Sequence, residues 1–137
     1  MFDAMKISAS GLTAESLRLD VISNNLANID TTQTPQGGPY RREFVVFSPV
    51  PATLSGADAN IGQGVVVSAI LQDPSPFKAV YDPTSPLANA QGEVLYPNVN
   101  LATEMVDMIE ASQAYQANSS AFTASKDMVL KALSIGS

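Results

Sequence analysis

The 137-residue sequence contains no cysteine and no histidine. Without cysteine, the chain cannot form disulfides, zinc–thiolate sites or a thiolate nucleophile. Without histidine, it lacks the commonest general base near neutral pH and the commonest protein ligand for metal ions. These absences argue against an enzyme, and we expect no catalytic residues, no metal, no cofactor and no small-molecule substrate.

Charged side chains are scarce as well, at 15% of the sequence, and the net charge is −6. Nucleic-acid binding relies on clustered lysine and arginine, whereas the one adjacent basic pair here is Arg41–Arg42. The first twelve residues have no continuous apolar core, so they do not read as a secretory signal peptide. No apolar run approaches the roughly 20 residues of a membrane-spanning helix. We therefore expect no nucleic-acid partner, no direct membrane span, and either a cytoplasmic location or export without a cleaved signal.

The positions of the prolines predict how the chain is organised. All nine lie between Pro35 and Pro97, and proline ends helices because it lacks a backbone N–H and clashes with the preceding turn. The two ends are therefore free to form long helices. We predict an α+β fold in which residues 1–34 and 99–137 pair as a coiled-coil-like helical layer. Residues 35–98 are expected to form a β-hairpin and loop region between them.

The first segment has an apolar stripe at alternating steps of three and four residues, the spacing of one helix face. Seven of its nine positions are apolar, and Ser8 and Glu15 interrupt it. At ~1.5 Å per residue, such a helix would be roughly 40 Å long. The stripe consists of Met1, Met5, Ser8, Leu12, Glu15, Leu19, Ile22, Leu26 and Ile29.

The last segment has a similar stripe and, beside it, a face of small residues. We expect Asn98 or Asn100 to cap the start of this helix and Gly136 to end it. Small side chains allow another helix to approach closely, although alanine is also the best helix former. The stripe consists of Leu101, Met105, Met108, Ser112, Tyr115, Ser119, Phe122, Lys126, Val129 and Leu133, and the small-residue face of Ala111, Ala114, Ala117, Ala121, Ala124 and Ala132.

The middle of the chain favours short strands. Residues 40–47 include the strongly β-favouring Phe44-Val45-Val46-Phe47. Residues 65–71 are a second predicted strand and 77–81 a third, short one. Together they predict a small β-hairpin with loops.

Three motif fragments carry little weight. Ser75-Pro76-Phe77-Lys78 has the spacing of a lysine-activated serine, but it lacks the supporting motifs of such enzymes. Gly62-Gln63-Gly64 lacks the third glycine and the following helix of a dinucleotide site. Asn118-Ser119-Ser120 is a formal glycosylation sequence inside a predicted helix, where chance explains it better.

A cluster of asparagines near the end of the first helix is less easily dismissed. Asn24, Asn25 and Asn28 fall where asparagine is a mediocre helix former. One interpretation is that they are exposed to solvent or begin the unwinding of the helix. The other is that their amides, which both donate and accept, bond a neighbouring helix and fix its register.

The same residues carry a resemblance to a known family, the flagellar axial proteins, which comprise the rod, hook and hook-associated subunits. The resemblance spans nearly the whole chain and is closest to a proximal rod subunit. It rests on Ser10-Gly11-Leu12, Arg18-Leu19-Asp20-Val21, Ser23-Asn24-Asn25-Leu26-Ala27-Asn28, Gly37-Gly38-Pro39-Tyr40-Arg41-Arg42, Asp73-Pro74-Ser75-Pro76-Phe77-Lys78, Tyr96-Pro97-Asn98-Val99-Asn100-Leu101 and Ala114-Tyr115-Gln116-Ala117-Asn118.

The resemblance implies a structural subunit that polymerises through its terminal helices into the proximal rod of the flagellar basal body. It implies export by the flagellar type III apparatus without a cleaved signal, and assembly in the periplasm. The implied partners are further copies of the chain, other rod subunits, the adaptor between the rod and the membrane ring, and the export apparatus. The rod would transmit torque and house the export channel.

We expect inter-subunit or helix-core packing at thirteen residues, which are Leu12, Leu19, Ile22, Asn24, Asn25, Leu26, Asn28, Met105, Met108, Tyr115, Phe122, Val129 and Leu133. Because two striped helices cannot bury all their apolar faces alone, we further expect them to be labile in the free subunit and to order on assembly. Two other classes remain as alternatives at this stage. They are a cell-wall hydrolase and a generic secreted coiled-coil adaptor.

Overall fold

A computed structural model describes residues 2–51 and 62–137. It contains a long helix at each end and four short strands between them, which confirms the predicted α+β class and the pairing of the terminal helices. The elements in chain order are α1 (Phe2–Ala27), β1 (Glu43–Pro49), β2 (Val65–Gln72), β3 (Lys78–Tyr81), β4 (Glu93–Tyr96) and α2 (Leu101–Ile135).

Helix α1 has 26 residues, which agrees with the expected length, but it ends earlier than the predicted stripe. Residues 28–34, including Ile29 of that stripe, lie in turns and irregular backbone. The physical reason is local. The side-chain amide of Asn28 donates to the Asn24 carbonyl at 2.9 Å, and the next backbone bonds tighten to three-residue spacing, as in Thr31 N–H to the Asn28 carbonyl. Met1 of the predicted stripe lies outside the described residues.

Helix α2 has 35 residues and is capped as expected. The Asn100 side chain accepts a hydrogen bond from the Thr103 N–H at 3.1 Å, which satisfies one of the free donors of the first turn. Gly136 follows the last helical residue and donates its backbone N–H to the Ala132 carbonyl. Of the two predicted caps, Asn100 is therefore the actual one. The Asn98 side chain accepts a hydrogen bond from the Arg42 N–H instead.

Strands β1 and β2 form an antiparallel hairpin in which Glu43 faces Gln72 and Pro49 faces Val65, with a bulge between Val46 and Phe47. The predicted strand at 40–47 starts three residues too early and ends two residues short. Residue 42 does not begin the ladder because its backbone N–H donates to the Asn98 side chain at 2.8 Å. The second predicted strand is confirmed with one residue added.

Strands β3 and β4 form a second antiparallel hairpin, with Lys78 facing Tyr96 and Tyr81 facing Glu93. The expectation of a single hairpin is therefore wrong, because β4 was not predicted. This strand has only four residues, which is too short to show an alternating pattern. Each sheet has two strands.

The interior is small and unusually polar. The buried apolar side chains in the described part of the chain are Ala14, Val21, Ile22, Val94 and Ala111. Buried beside them are Ser8, Asn25, Glu104 and Ser125. Within residues 2–51 and 62–137, neither helix is apolar enough over a sufficient length to cross a membrane.

Candidate functional site

Three contacts define how the terminal helices pair. Arg18 donates to Glu110 at 3.4 Å, Asn25 donates to Glu104 at 3.1 Å, and Gly11 lies against the Asn118 side chain. From Gly11 to Arg18 to Asn25 along α1, the partner on α2 moves back from Asn118 to Glu110 to Glu104, by nearly the same number of residues. The helices are therefore antiparallel and in contact over most of α1.

Seven of the nine buried residues of the two helices are small or polar, and the other two are Val21 and Ile22. Gly11 is buried, and a Cβ placed on it would lie 2.7 Å from Asn118 Oδ1, closer than non-bonded atoms approach. Glycine at this point therefore permits the close approach of α2. The other buried residues of the two helices are Ser8, Ala14, Val21, Ile22, Asn25, Glu104, Ala111 and Ser125.

The thirteen residues expected to pack fall into three groups. Ile22 and Asn25 are buried in the single chain. Partly covered are Leu12, Leu19, Leu26, Asn28, Met108, Phe122 and Val129. Exposed are Asn24, Met105, Tyr115 and Leu133. The structure thus brings Ile22 and Asn25 into the interior of one subunit, and leaves Met105, Tyr115 and Leu133 of α2 exposed.

The outward face of α2 is strongly apolar near its start. Leu101, Met105, Val106 and Ile109 each expose more than half of their surface, and their spacing places them on neighbouring faces of the helix. Contiguous exposed apolar surface of this kind is typical of protein contact sites. The single chain leaves this surface uncovered.

Where α1 ends, the Asn25 side chain is completely buried and makes four hydrogen bonds. Its amide group donates to the Glu43 carbonyl at 2.8 Å and to Glu104 Oε2 at 3.1 Å. Its carbonyl oxygen accepts from the Glu43 N–H at 3.0 Å and from the Tyr40 hydroxyl at 2.9 Å. The carboxamide therefore pairs with the first residue of β1 as a neighbouring strand would, and it links α1, β1 and α2.

Arg42 supplies the positive charge of this region. Its Nε donates to Glu104 Oε1, and its terminal nitrogens lie 3.5 Å from Asp73 and 3.3 Å from Asp107. Burial lowers the pKa of the Arg42 guanidinium. The hydrogen bond and charge of Glu104, with the charges of Asp107 and Asp73, outweigh burial and raise that pKa above its ordinary value. Arg42 is thus a fixed cation among three carboxylates.

The same region fastens the second hairpin. Asn98 donates to the carbonyls of Asp73 and Ser75, each at 3.1 Å, and Arg41 donates to the same two carbonyls at 2.9 and 3.0 Å. The Arg41 guanidinium also lies 4.2 Å from the centre of the Phe77 ring. Hydrogen bonds from the Ser75 hydroxyl and N–H lower the pKa of the Asp73 carboxyl. We call Asn25, Tyr40, Arg42, Asp73, Asn98 and Glu104 the polar hub.

The three asparagines thus have different surroundings. Asn25 bonds the neighbouring helix, as the second interpretation requires. Asn28 ends α1, as the first interpretation requires, and its carbonyl oxygen accepts from the Thr31 hydroxyl at 3.1 Å. Asn24 is exposed and donates to the Tyr40 hydroxyl at 3.1 Å. Asn25 therefore bonds a neighbouring helix and Asn28 ends α1, while the role of the cluster in fixing helix register stays a prediction.

Residues of the three motif fragments considered in the sequence make contacts within the fold. The Ser75 hydroxyl donates to Asp73 Oδ1 at 2.6 Å within a turn, and Lys78 is exposed at the start of β3. Gly64 has a φ of 104° just before β2, where a Cβ would collide with the Ser10 hydroxyl. That hydroxyl accepts from the Val65 N–H at 3.0 Å and so ties β2 to α1. Asn118 lies within α2 at the close contact with Gly11.

Comparison with known proteins agrees with this architecture. A family model described as "Flagella basal body rod protein" matches residues 5–33, and one described as "Flagellar basal body rod FlgEFG protein C-terminal" matches residues 90–135. The "Flagellar basal-body rod protein FlgC" of Borreliella burgdorferi is 47% identical, over 98% of this chain and 97% of its own length. The chain belongs to the FlgC family. The FlgC proteins of Bacillus subtilis and Escherichia coli O6:H1 are 45% and 41% identical, over 98% and 99% of this chain and 97% and 98% of their own lengths.

Most of the polar hub was not predicted as a site. Asn25 was among the expected packing residues, but Tyr40, Arg42, Asp73, Asn98 and Glu104 were not. One signal was available in the sequence, since Arg41–Arg42 is the only adjacent basic pair and Glu104 and Asp107 lie at the start of a predicted helix. In a chain with few charges, those groups were candidates for an ion-pair cluster.

Proposed function

We propose that this FlgC-family chain is a structural subunit of the flagellar basal-body rod that assembles through the outward faces of its terminal helices. Its place is the proximal part of the rod, beside further copies of the chain and other rod subunits. The relatives are named as rod proteins of the basal body, which supports the structural role. No catalytic role is proposed.

One observation carries the assembly mechanism. Most buried residues of α1 and α2 are small or polar, while large apolar side chains of α2 such as Met105, Val106 and Ile109 remain exposed. Fully burying a side chain of that size contributes about 1.5–3 kcal/mol. A single subunit does not obtain this energy, whereas a stack of subunits does.

The polar hub has a complementary part in this proposal. Because it joins the end of α1, the start of α2 and both hairpins through hydrogen bonds that are mostly part-buried, it fixes one end of the helix pair. Polar contacts of this kind require exact geometry and so specify one arrangement. The hub thus sets the orientation in which the apolar faces of α2 are presented to neighbouring subunits.

Replacing Phe122 or Leu26 with aspartate tests the assembly mechanism. Both side chains are partly covered in the single chain, and burying an unpaired charge in a subunit contact is strongly unfavourable. Each variant, expressed in cells that lack the native protein, should be made and exported but absent from purified basal bodies. Ser120→Asp adds the same charge at an exposed position of α2 and is the matched control. Normal motility with Phe122→Asp or Leu26→Asp would contradict the mechanism.

The proposed route to the rod is export by the flagellar type III apparatus, without a cleaved signal, followed by assembly in the periplasm at the adaptor between the rod and the membrane ring. The support is the family membership. Mass spectrometry of the N-terminus of rod-assembled protein tests it. A chain that still starts at residue 1 or 2 agrees, and one shortened by a signal peptidase contradicts the route.

A further inference from the structure

The second hairpin, formed by β3 and β4, stands apart from the other elements. In the described part of the chain, no residue of these strands has its Cα within 8 Å of a residue in α1, α2, β1 or β2, whereas the first hairpin lies against α1. All four residues of β3 are exposed, and Val94 is the one buried residue of β4. A two-stranded hairpin has little stability of its own, so its position depends on how its ends are held.

Open space borders both strands of this hairpin. A groove of about 660 Å³ is lined by Asp30, which follows α1, and by Val80 of β3. A second groove of about 340 Å³ is lined by Pro39, which precedes β1, and by Val94 and Leu95 of β4. Packed protein interiors contain few voids larger than a water molecule. The two grooves therefore leave room for the hairpin to change its angle.

A short, stiff segment leads from the first hairpin into the second. Proline fixes its own φ and restricts the residue before it to extended backbone, and two of the five residues in this segment are prolines. The segment therefore moves as one piece with β3. We call it the strap, and it consists of Asp73-Pro74-Ser75-Pro76-Phe77.

Two side chains from the loops that precede β1 and α2 hold the strap. Arg41 donates to the carbonyls of Asp73 and Ser75 at 2.9 and 3.0 Å, and Asn98 donates to the same two carbonyls, each at 3.1 Å. The Arg41 guanidinium also lies over the Phe77 ring. We call Arg41 and Asn98 the clamp.

The first residue of the strap is held separately. The Asp73 backbone N–H donates to the Arg42 carbonyl at 2.8 Å, and the Asp73 carboxylate lies 3.5 Å from the Arg42 guanidinium. Neither contact involves a clamp side chain. Release of the clamp therefore leaves the strap anchored at Asp73, which then acts as a pivot.

We propose that the clamp sets the orientation of the second hairpin and that, when the clamp opens, the strap and the hairpin turn together about Asp73. The hydrogen bonds to the Ser75 carbonyl are exposed and those to the Asp73 carbonyl are part-buried, so water can replace them at small net cost. Hinges of this kind need only a few residues at the ends of elements. The hairpin can then take more than one position while Asn25 and Glu104 keep the helix pair in one geometry.

This inference goes beyond the proposed function, because it concerns one chain by itself and holds whether or not copies assemble. The chain has no cysteine, so two introduced cysteines carry the only nitroxide labels. We would label the full chain at Ser68→Cys in β2 and Gln91→Cys in the turn between β3 and β4, both at exposed positions. Double electron–electron resonance then measures the distribution of distances between the labels, at a concentration at which sedimentation velocity shows a monomer.

With the clamp intact, the distribution should have one narrow peak. Arg41→Ala removes two of the clamp hydrogen bonds, and Asn98→Asp removes the other two while keeping an oxygen that can accept from the Arg42 N–H. Each variant should broaden the distribution, and the double variant should roughly double its width, because the hairpin then takes several orientations. The ¹³Cα chemical shifts of β3 and β4 should stay strand-like throughout, which shows that the hairpin itself is intact.

Lys78→Gln is the matched control. It removes a positive charge directly after the strap, from an exposed side chain that makes none of the four clamp hydrogen bonds. The narrow peak should persist in this variant.

Four results would overturn the inference. An unchanged distribution in the double variant would mean that the surroundings of Val94 fix the hairpin. Loss of the strand-like shifts in that variant would mean that the clamp only maintains the fold of the hairpin. Equal broadening in Lys78→Gln would remove the specific role of the clamp, and a broad distribution with the clamp intact would mean that it fixes no orientation.

Discussion

The Asn25 amide donates a 3.1 Å hydrogen bond to Glu104 Oε2, and neither residue exposes any surface to solvent. The two residues are 79 positions apart in the sequence. This contact joins the end of α1 to the first turn of α2. Because Arg42 binds the other oxygen of Glu104, the helix pairing and the β1 strand depend on the same carboxylate.

Removing the Glu104 carboxylate should strongly destabilise the subunit. Glu104→Ala leaves the Arg42 charge and one donor of Asn25 without their main partner, and breaking a buried ion pair from one side costs about 3 kcal/mol or more. We expect a clear fall in the urea midpoint, measured at one fixed protein concentration because association adds to apparent stability. Glu110→Gln, which removes an exposed partner of Arg18, should cost less than about 1 kcal/mol. Equal effects would contradict the importance of the hub.

Asn25 should be the asparagine on which the fold depends. Asn25→Ala removes four hydrogen bonds and leaves the partly covered backbone N–H and carbonyl of Glu43 without these partners, at about 1–3 kcal/mol for each unsatisfied group. Asn24 is exposed, and we expect Asn24→Ala to cost about 1 kcal/mol or less. Denaturant unfolding of the two variants side by side measures the difference. A greater loss from Asn24→Ala would refute the assignment.

A side chain at Gly11 should force the Asn118 side chain to move from its hydrogen bond with the Ala114 carbonyl. Gly11→Ala places a methyl group 2.7 Å from Asn118 Oδ1, and overpacking of this kind costs about 1–3 kcal/mol. Alanine also favours the helix itself by about 0.5–1 kcal/mol. The double variant Gly11→Ala/Asn118→Ala removes the clashing amide and should regain stability. Additive effects in this double-mutant cycle would show that the two positions are not in contact.

Glu15 should make stability depend on pH. Burial raises the pKa of its carboxyl, and the Arg18 charge only partly opposes this. Oε2 makes no hydrogen bond within the described residues and lies 3.7 Å from Arg18. Since the folded pKa is raised, the contribution of Glu15 to stability is fully present below the ordinary glutamate value of about 4.3 and is lost as pH rises.

Glu15→Gln should therefore be more stable than the wild type at pH 7, with the difference shrinking towards pH 4. Urea unfolding at the two pH values measures it. Glu110→Gln, at an exposed glutamate of α2, is the control and should show little pH-dependent gain. A Glu15→Gln protein less stable than the wild type at pH 7 would mean that the ion pair with Arg18 outweighs burial.

The helices were predictable from the sequence because proline placement and capping residues are local signals. As expected, α2 begins just after Asn100 and ends just before Gly136. The second hairpin was not predictable, since β4 has four residues and pairs across a loop rich in turn residues. The polar hub was hidden for a different reason. The partners of Arg42 are 31 to 65 positions away, and no local pattern indicates which carboxylate an arginine will meet.

The apolar stripes gave a partial guide to burial. They located Ile22 in the interior, but most buried residues of the two helices are small or polar. Large side chains of α2 such as Met105, Val106 and Ile109 are exposed, whereas Met108 and Phe122 are partly covered. Periodicity indicates which residues share a face. It does not indicate whether that face meets the same chain or another copy. The exposed stripe of α2 is the physical basis of the proposed assembly.

The helix content of the free subunit tests most directly whether neighbouring subunits complete the fold. Helices of 26 and 35 residues are present in the structure, yet few large apolar side chains are buried within one chain. Circular dichroism over a concentration series, with sedimentation velocity on the same samples, should show low helicity in the dilute monomer. Helicity should rise as the protein associates, and Phe122→Asp should suppress that rise. A dilute monomer that already shows the full helix content of both segments would contradict the claim that neighbouring subunits complete the fold.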